Sequence, residues 1–209
     1  MRGVPPRQLR AVLLDRDGVI CENRQDYVKT WEEFQWIPGA KEAIRSLRDL
    51  GYIVIVVSNQ SAVGRGIITE TKLAEIHRNM VEEIREAGGD VAAIYCCTHA
   101  PVDGCGCRKP APGLLRQALR EFPLAVEKSW LISDTADDVS MGTEAGLKCI
   151  LVLTSRGTLE AEKVKGRYHD VPIAQNLQQA VRWMEKAALR DRQPATPAGG
   201  QGTGDGKVL

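Results

Sequence analysis

The stretch Leu13-Leu14-Asp15-Arg16-Asp17-Gly18 closes a short apolar run, Ala11–Leu14, with two carboxylates spaced two residues apart. In extended backbone that spacing puts both side chains on one face, and Gly18 lets the chain turn sharply behind them. An apolar run without polar alternation reads as a strand covered on both faces. Similar runs follow at Ile53–Val57, Val91–Tyr95, Trp130–Ile132 and Cys149–Leu153. Segments of helical period separate them. Residues 39–50 carry Ala40, Ala43, Ile44 and Leu47 on one stripe and stop at Gly51. Residues 70–87 follow the candidate cap Thr69 and align Leu73, Ile76, Met80 and Ile84. Further helices are predicted over 112–121, 137–145 and 176–189. This alternation predicts an α/β fold, a mostly parallel sheet with helices on both faces. Ligands of such sheets gather beyond the carboxyl ends of the strands, where Asp15 and Asp17 fall.

A chain of 209 residues, 43% hydrophobic and 26% charged, suits one soluble domain. A net charge of +1 offers no basic surface for nucleic acid or membrane. No apolar run approaches the ~20 residues that span a bilayer, and the opening MRGVPPRQLR has no apolar signal core. The expectation is a cytoplasmic monomer with one domain over residues 1–190. Beyond it, the Gly/Pro/Thr-rich residues 191–209 are expected to be disordered. Four of the six cysteines fall between Cys96 and Cys107, which in a cytosolic chain points to metal rather than disulfides. Cys21 and Cys149 read as packing residues.

Taken alone, Asp15-Arg16-Asp17-Gly18 is as compatible with a surface turn as with an active site. A calcium loop is excluded, because Ile20 and Asp26 stand where that loop needs Gly and Glu. The chemical reading has content nonetheless. A carboxylate can attack phosphorus and form an acyl phosphate, and a second can protonate the leaving oxygen and then activate water. Close anions need a cation, and Mg²⁺ favours carboxylate, water and phosphate oxygens. Ser58-Asn59-Gln60 ends the second run with hydrogen-bond donors for phosphate oxygens, or with a polar turn. Arg108-Lys109 is either a solvated basic pair or a source of charge, with Lys109 neutralising a phosphoryl group and Arg108 gripping a second anion. After the fourth run, Asp134 is a third carboxylate for magnesium, while Asp137 and Asp138 also suit the first turn of a helix. The fixed order of these motifs after successive strands favours chemistry.

In that order, Asp-x-Asp-Gly, Ser-Asn-Gln, a lone Lys and Ser-Asp-x-x-x-Asp resemble the motifs of the haloacid dehalogenase phosphatases, over roughly residues 11–153. The resemblance implies a Rossmann-like three-layer sandwich, with Asp15 as nucleophile and Asp17 as general acid and base. Ser58 and Lys109 would stabilise the phosphoryl group. Asp15, the carbonyl of Asp17 and Asp134 would hold Mg²⁺. The stretch between Gly18 and the first helix is too short for a separate cap domain, so loops should cover the site.

Cys97-Thr98-His99 and Cys105-Gly106-Cys107 offer three thiolates and an imidazole, a set suited to closed, structural zinc. The loop leads directly into Arg108 and Lys109. It is similar to that of a subgroup acting on D-glycero-D-manno-heptose 1,7-bisphosphate or on histidinol phosphate. Residues 15–20, 27–28, 37–39 and 57–61 with Arg65-Gly66 are more similar to the heptose enzymes. The five-residue spacer after His99 is similar to the histidinol-phosphate enzymes. Thr135 stands where heptose enzymes usually carry a substrate-touching Lys, and Cys21 where they carry Asn. Asn59, Gln60, Arg65 and Arg108 are the candidate substrate contacts, and Arg65 with Arg108 suits a bisphosphate. The expected partner is a small phosphorylated sugar. A nucleic-acid 3′-phosphatase would want a basic groove, and a non-catalytic zinc-stapled module has no use for Asp15, Asp17, Asp134 and Lys109 together.

Overall fold

The computed structural model describes residues 8–190, so the expected disordered tail lies outside them. Ala11–Leu14 forms β1 with all its residues buried. β2 (Ile53–Asn59), β3 (Ala93–Cys97), β4 (Trp130–Ser133), β5 (Lys148–Val152) and β6 (Ile173–Ala174) complete one sheet in the order β3-β2-β1-β4-β5-β6. Every pairing is parallel. At the centre Leu14 lies opposite Val56 of β2 on one side and Ile132 of β4 on the other. The strand order reverses here, and the crevice beyond such a reversal is where ligands of open α/β sheets bind.

Helices cover both faces. α1 (Ala40–Asp49), α2 (Glu70–Glu86) and α6 (Leu177–Arg190) share one face, where Ile44, Leu47, Ile76, Met80 and Val181 pack on Val12, Leu14, Val54 and Val56. α3 (Gly113–Glu121), α4 (Ala136–Glu144) and α5 (Gly157–Arg167) cover the other, placing Leu115, Val139 and Val164 against Leu13, Ile55 and Val57. The three-layer sandwich follows. Thr69 caps α2, its hydroxyl accepting the Lys72 N–H at 3.1 Å.

The strands and helices read from periodicity are present, with shifted ends: β2 and β3 run two residues further, to Asn59 and Cys97. α5 and β6 escape that reading. β6 has two residues, and α5 buries only Gly157, Ala161 and Val164 among charged neighbours, leaving no apolar stripe. Between β1 and α1 there are turns and isolated bridges, Asp17 to Cys21 and Cys21 to Trp36, and no cap domain. Trp31 and Phe34, stacked at 4.8 Å, help anchor that segment. Among the described residues no helix is long and apolar enough to cross a membrane.

Candidate active site

Asp15 is the first residue past β1, fixed by its N–H donating to the Ile132 carbonyl of β4 at 3.1 Å. Its Oδ2 lies 3.0 Å from Lys109 Nζ, which also reaches Asp138 Oδ2 at 2.6 Å. Ser133, the last residue of β4, donates its hydroxyl to the same Asp138 oxygen at 2.8 Å. Lys109 stands on a loop, so its backbone needs support. Asn59 supplies it: its Oδ1 accepts the Lys109 N–H and its Nδ2 donates to the Lys109 carbonyl, both at 3.0 Å.

Asp134 follows β4 directly. It is buried and accepts the Arg156 N–H at 3.1 Å. Its carboxylate packs against Gly18, whose φ of +88° favours glycine and whose missing Cβ would collide with Asp134. The Thr154 hydroxyl donates to the Gly18 carbonyl and ties the turn to the loop after β5.

Asp15, Asp134 and Asp138 place three buried carboxyl groups around one ammonium. Burial pushes the Asp15 carboxyl up to about 7; Lys109 opposes the shift, and the nearby Asp138, Asp134 and Asp17 add to it. Burial likewise raises Asp134. For Lys109, burial works against the ammonium, but Asp138 and Asp15 outweigh it and hold the pKa above the usual lysine range. This donor set fits a hard divalent cation at the carboxyl ends of β1 and β4.

Asp17 is held differently. Arg16 Nε and Nη2 donate to its Oδ1 at 3.2 and 2.8 Å, and Gln60 Nε2 donates to its Oδ2 at 2.6 Å. Burial would raise Asp17, but the Arg16 charge outweighs it and holds the carboxyl below its ordinary value. Gln60 also donates to Ser58 Oγ at 2.8 Å. The Asn59 and Gln60 amides, expected from sequence to donate to substrate, are therefore engaged in bracing Lys109, Asp17 and Ser58.

A cavity of about 880 Å³ opens over these groups. Arg65, Arg108, Thr135 and Arg156 line it beside Asp15 and Lys109. Arg108 buries its Nη1 without a hydrogen-bond partner. Among the described residues, Arg65, Arg108 and Arg156 reach no carboxylate at salt-bridge distance, whereas Arg24, also in the wall, pairs with Asp26 at 3.1 Å. Sequence reading missed Arg156, because the loop after β5 carries no motif. It also missed His77, whose position on the apolar stripe of α2 was the available signal.

The Cys97, His99, Cys105 and Cys107 donor atoms lie within 4.8 Å of one another. The sulfurs are 3.2 to 3.4 Å apart, and His99 Nδ1 is 3.7 Å from Cys97 and 3.3 Å from Cys107. Zinc–sulfur bonds of about 2.3 Å require tetrahedral edges of about 3.7 Å, so the cluster fits zinc after a slight expansion. Cys96 faces Ser58 across the sheet register and stays out of the set. The loop docks through Gly64, whose N–H donates to the Thr98 carbonyl at 2.8 Å. A Cβ there would stand 2.6 Å from that carbonyl oxygen, so only glycine permits the approach.

The family model described as HAD-hydrolase-like matches residues 106–180. The D-glycero-β-D-manno-heptose-1,7-bisphosphate 7-phosphatase of Neisseria meningitidis serogroup B is 39% identical over 151 residues, covering 71% of this chain and 80% of that protein. The enzyme of the same name from Pseudomonas putida is 37% identical over 155 residues, 74% of this chain and 89% of that one. In three dimensions, the D,D-heptose 1,7-bisphosphate phosphatase from B. bronchiseptica, complexed with magnesium and phosphate, superimposes with a TM-score of 0.81. It is 30% identical and covers 86% of this chain and 99% of its own.

Proposed function

This chain belongs to the heptose-bisphosphate phosphatase family of haloacid dehalogenase-like hydrolases, and we propose from that premise that it removes the 7-phosphate of D-glycero-β-D-manno-heptose 1,7-bisphosphate. It is a phosphoric monoester hydrolase. Asp15 attacks phosphorus in line, and the bond to the sugar oxygen breaks with its electron pair on that oxygen. Arg16 keeps the Asp17 carboxyl ionised before substrate binds; the negative charge of a bound phosphate ester raises it, so that it binds a proton and delivers it to make the leaving group an alcohol. Water then attacks the acyl phosphate on Asp15, Asp17 takes its proton, and inorganic phosphate leaves with Asp15 restored. Lys109 and Ser58 neutralise charge on the phosphoryl oxygens. Asp15, the Asp17 carbonyl and Asp134 would hold Mg²⁺, which supplies positive charge between the carboxylates and the phosphoryl group.

Cys97, His99, Cys105 and Cys107 would hold a closed zinc ion that fixes the loop carrying Arg108 and Lys109. Asn59 and Gln60 act through their bracing bonds rather than by touching substrate.

The observation that carries the reading is Lys109 Nζ bridging Asp15 and Asp138, at 3.0 and 2.6 Å, in the same cavity as Asp134. The choice of a bisphosphate rests on the unpartnered Nη1 of Arg108 and on Arg65, which lines the same cavity. Guanidinium groups suit a second phosphate and repel the amine of histidinol phosphate. Comparing kcat/KM on the heptose bisphosphate, the heptose 7-phosphate and histidinol phosphate, with Mg²⁺ present, tests this. The bisphosphate should lead by at least about tenfold, since each well-placed charged contact contributes about 1.5–3 kcal/mol. A lead for histidinol phosphate overturns the substrate and leaves the chemistry standing.

A further inference from the structure

Arg16 occupies the unassigned middle of Asp15-Arg16-Asp17, and its side chain is 1% exposed. A fully buried guanidinium is a poor way to fill space, because an apolar residue would avoid the desolvation penalty. Its donors are aimed at specific partners. Nε and Nη2 both reach Asp17 Oδ1, at 3.2 and 2.8 Å, and Nη1 lies 3.3 Å from Nε2 of His77 on α2. His77 is buried on the stripe that otherwise holds Leu73, Ile76, Met80 and Ile84. Burial, reinforced by the Arg16 charge, holds that imidazole down to about 3, so it is neutral and its Nε2 can accept from Arg16.

Asp17 has no regular element to hold it. It lies in the turn after β1, and its side chain is 21% exposed to the cavity. Its orientation comes from the two Arg16 nitrogens, from Gln60 on Oδ2 at 2.6 Å, and from the Cys21 thiol 3.5 Å from Oδ1. We infer that Arg16, backed by His77, is a positioning residue that aims the Asp17 carboxyl at the leaving oxygen, so that α2 is mechanically linked to the acid–base step. The inference rests on the assignment of Asp17 as general acid and base.

Leaving-group dependence separates positioning from mere structural support. A sugar alkoxide needs a proton to depart, whereas p-nitrophenolate does not. His77→Phe removes the acceptor and keeps the bulk, and His77→Gln keeps an acceptor. Arg16→Lys keeps the charge and loses the fork. In single turnover, which reads only formation of the acyl phosphate, release of the sugar from the heptose bisphosphate should slow about 30-fold in Arg16→Lys and about tenfold in His77→Phe, with substrate affinity held, since small misplacement of an acid–base group costs up to about 10²-fold. Single-turnover release of p-nitrophenolate should change less than about twofold, and His77→Gln should recover most of the loss seen with the heptose substrate. Equal losses on both substrates, or no loss in the folded His77→Phe protein, overturn the inference. Asp17→Asn run alongside distinguishes the two levels. If it too ignores the leaving group, the Asp17 assignment fails; if it alone discriminates, the link through Arg16 fails.

Discussion

The carboxylate cluster at the ends of β1 and β4 and the Cys/His cluster after β3 each gather donors that repel one another without a cation. The first is built on rigid strand ends and internally braced: Asp138 and Asn59 hold Lys109, Arg16 and Gln60 hold Asp17, and the Arg156 N–H holds Asp134. The second stands on loop, with only Cys97 on a strand and His99 exposed. The difference separates a site suited to chemistry from one suited to support. The braced cluster keeps its geometry through its own hydrogen bonds and faces a cavity, so a cation there is available to substrate. The loop cluster is tied by backbone bonds such as Gly64 N–H to the Thr98 carbonyl, while its four donor side chains face one another, so an ion there would be closed by protein and would hold the loop.

Breaking the first cluster should have the largest effect. Asp15→Asn should lower kcat by at least about 10⁴-fold, the scale seen when a nucleophile is removed, with circular dichroism and melting unchanged. Lys109→Met removes the cation facing the developing charge and should cost about 10²–10³-fold in kcat. It also leaves Asp138 buried without its partner, so a fall in thermal midpoint should accompany it.

Breaking the second cluster should act through stability first. Stripping zinc with a strong chelator should lower the melting temperature and reduce activity by about 10–100-fold, the range typical of losing support around a site, and zinc should restore both. An unchanged melting curve after complete zinc loss, verified by metal analysis, would remove the structural role.

Much of the first cluster was legible because each member follows a strand at a fixed offset: Asp15 after β1, Ser58 within the end of β2, Asp134 after β4. The convergence of Cys97, His99, Cys105 and Cys107 was legible from spacing alone, since chemistry dictates which residue types can crowd together. What spacing cannot carry is bracing, because hydrogen bonds such as Asn59 to Lys109, Gln60 to Asp17 or Arg16 to His77 join distant segments. Asn59 and Gln60 were thus read as substrate contacts from their donor groups. α5 and β6 were missed because small and charged residues there leave no periodic apolar face, and Arg156 was missed with them.

A smaller effect probes the bracing of Asp17. His77 is held down to about 3 against an ordinary 6.5. Between those values the unfolded chain binds a proton that the folded chain refuses, so stability rises with pH and falls on acidification through this window. Urea denaturation at several pH values from 6.5 downward should show that slope, and His77→Phe should make it shallower. An identical slope would mean that His77 is free to protonate.

The most direct measurement is a rapid acid quench of p-nitrophenyl phosphate turnover, whose leaving group needs no proton, followed by mass spectrometry of the peptide spanning Asp15 in the Asp17→Asn protein, where hydrolysis of the acyl phosphate should be slowed. A phosphoryl group on Asp15 that forms with substrate and disappears on a chase is the predicted result. Turnover with no phosphoryl group on any carboxylate, and inversion rather than retention of configuration at phosphorus, would contradict it.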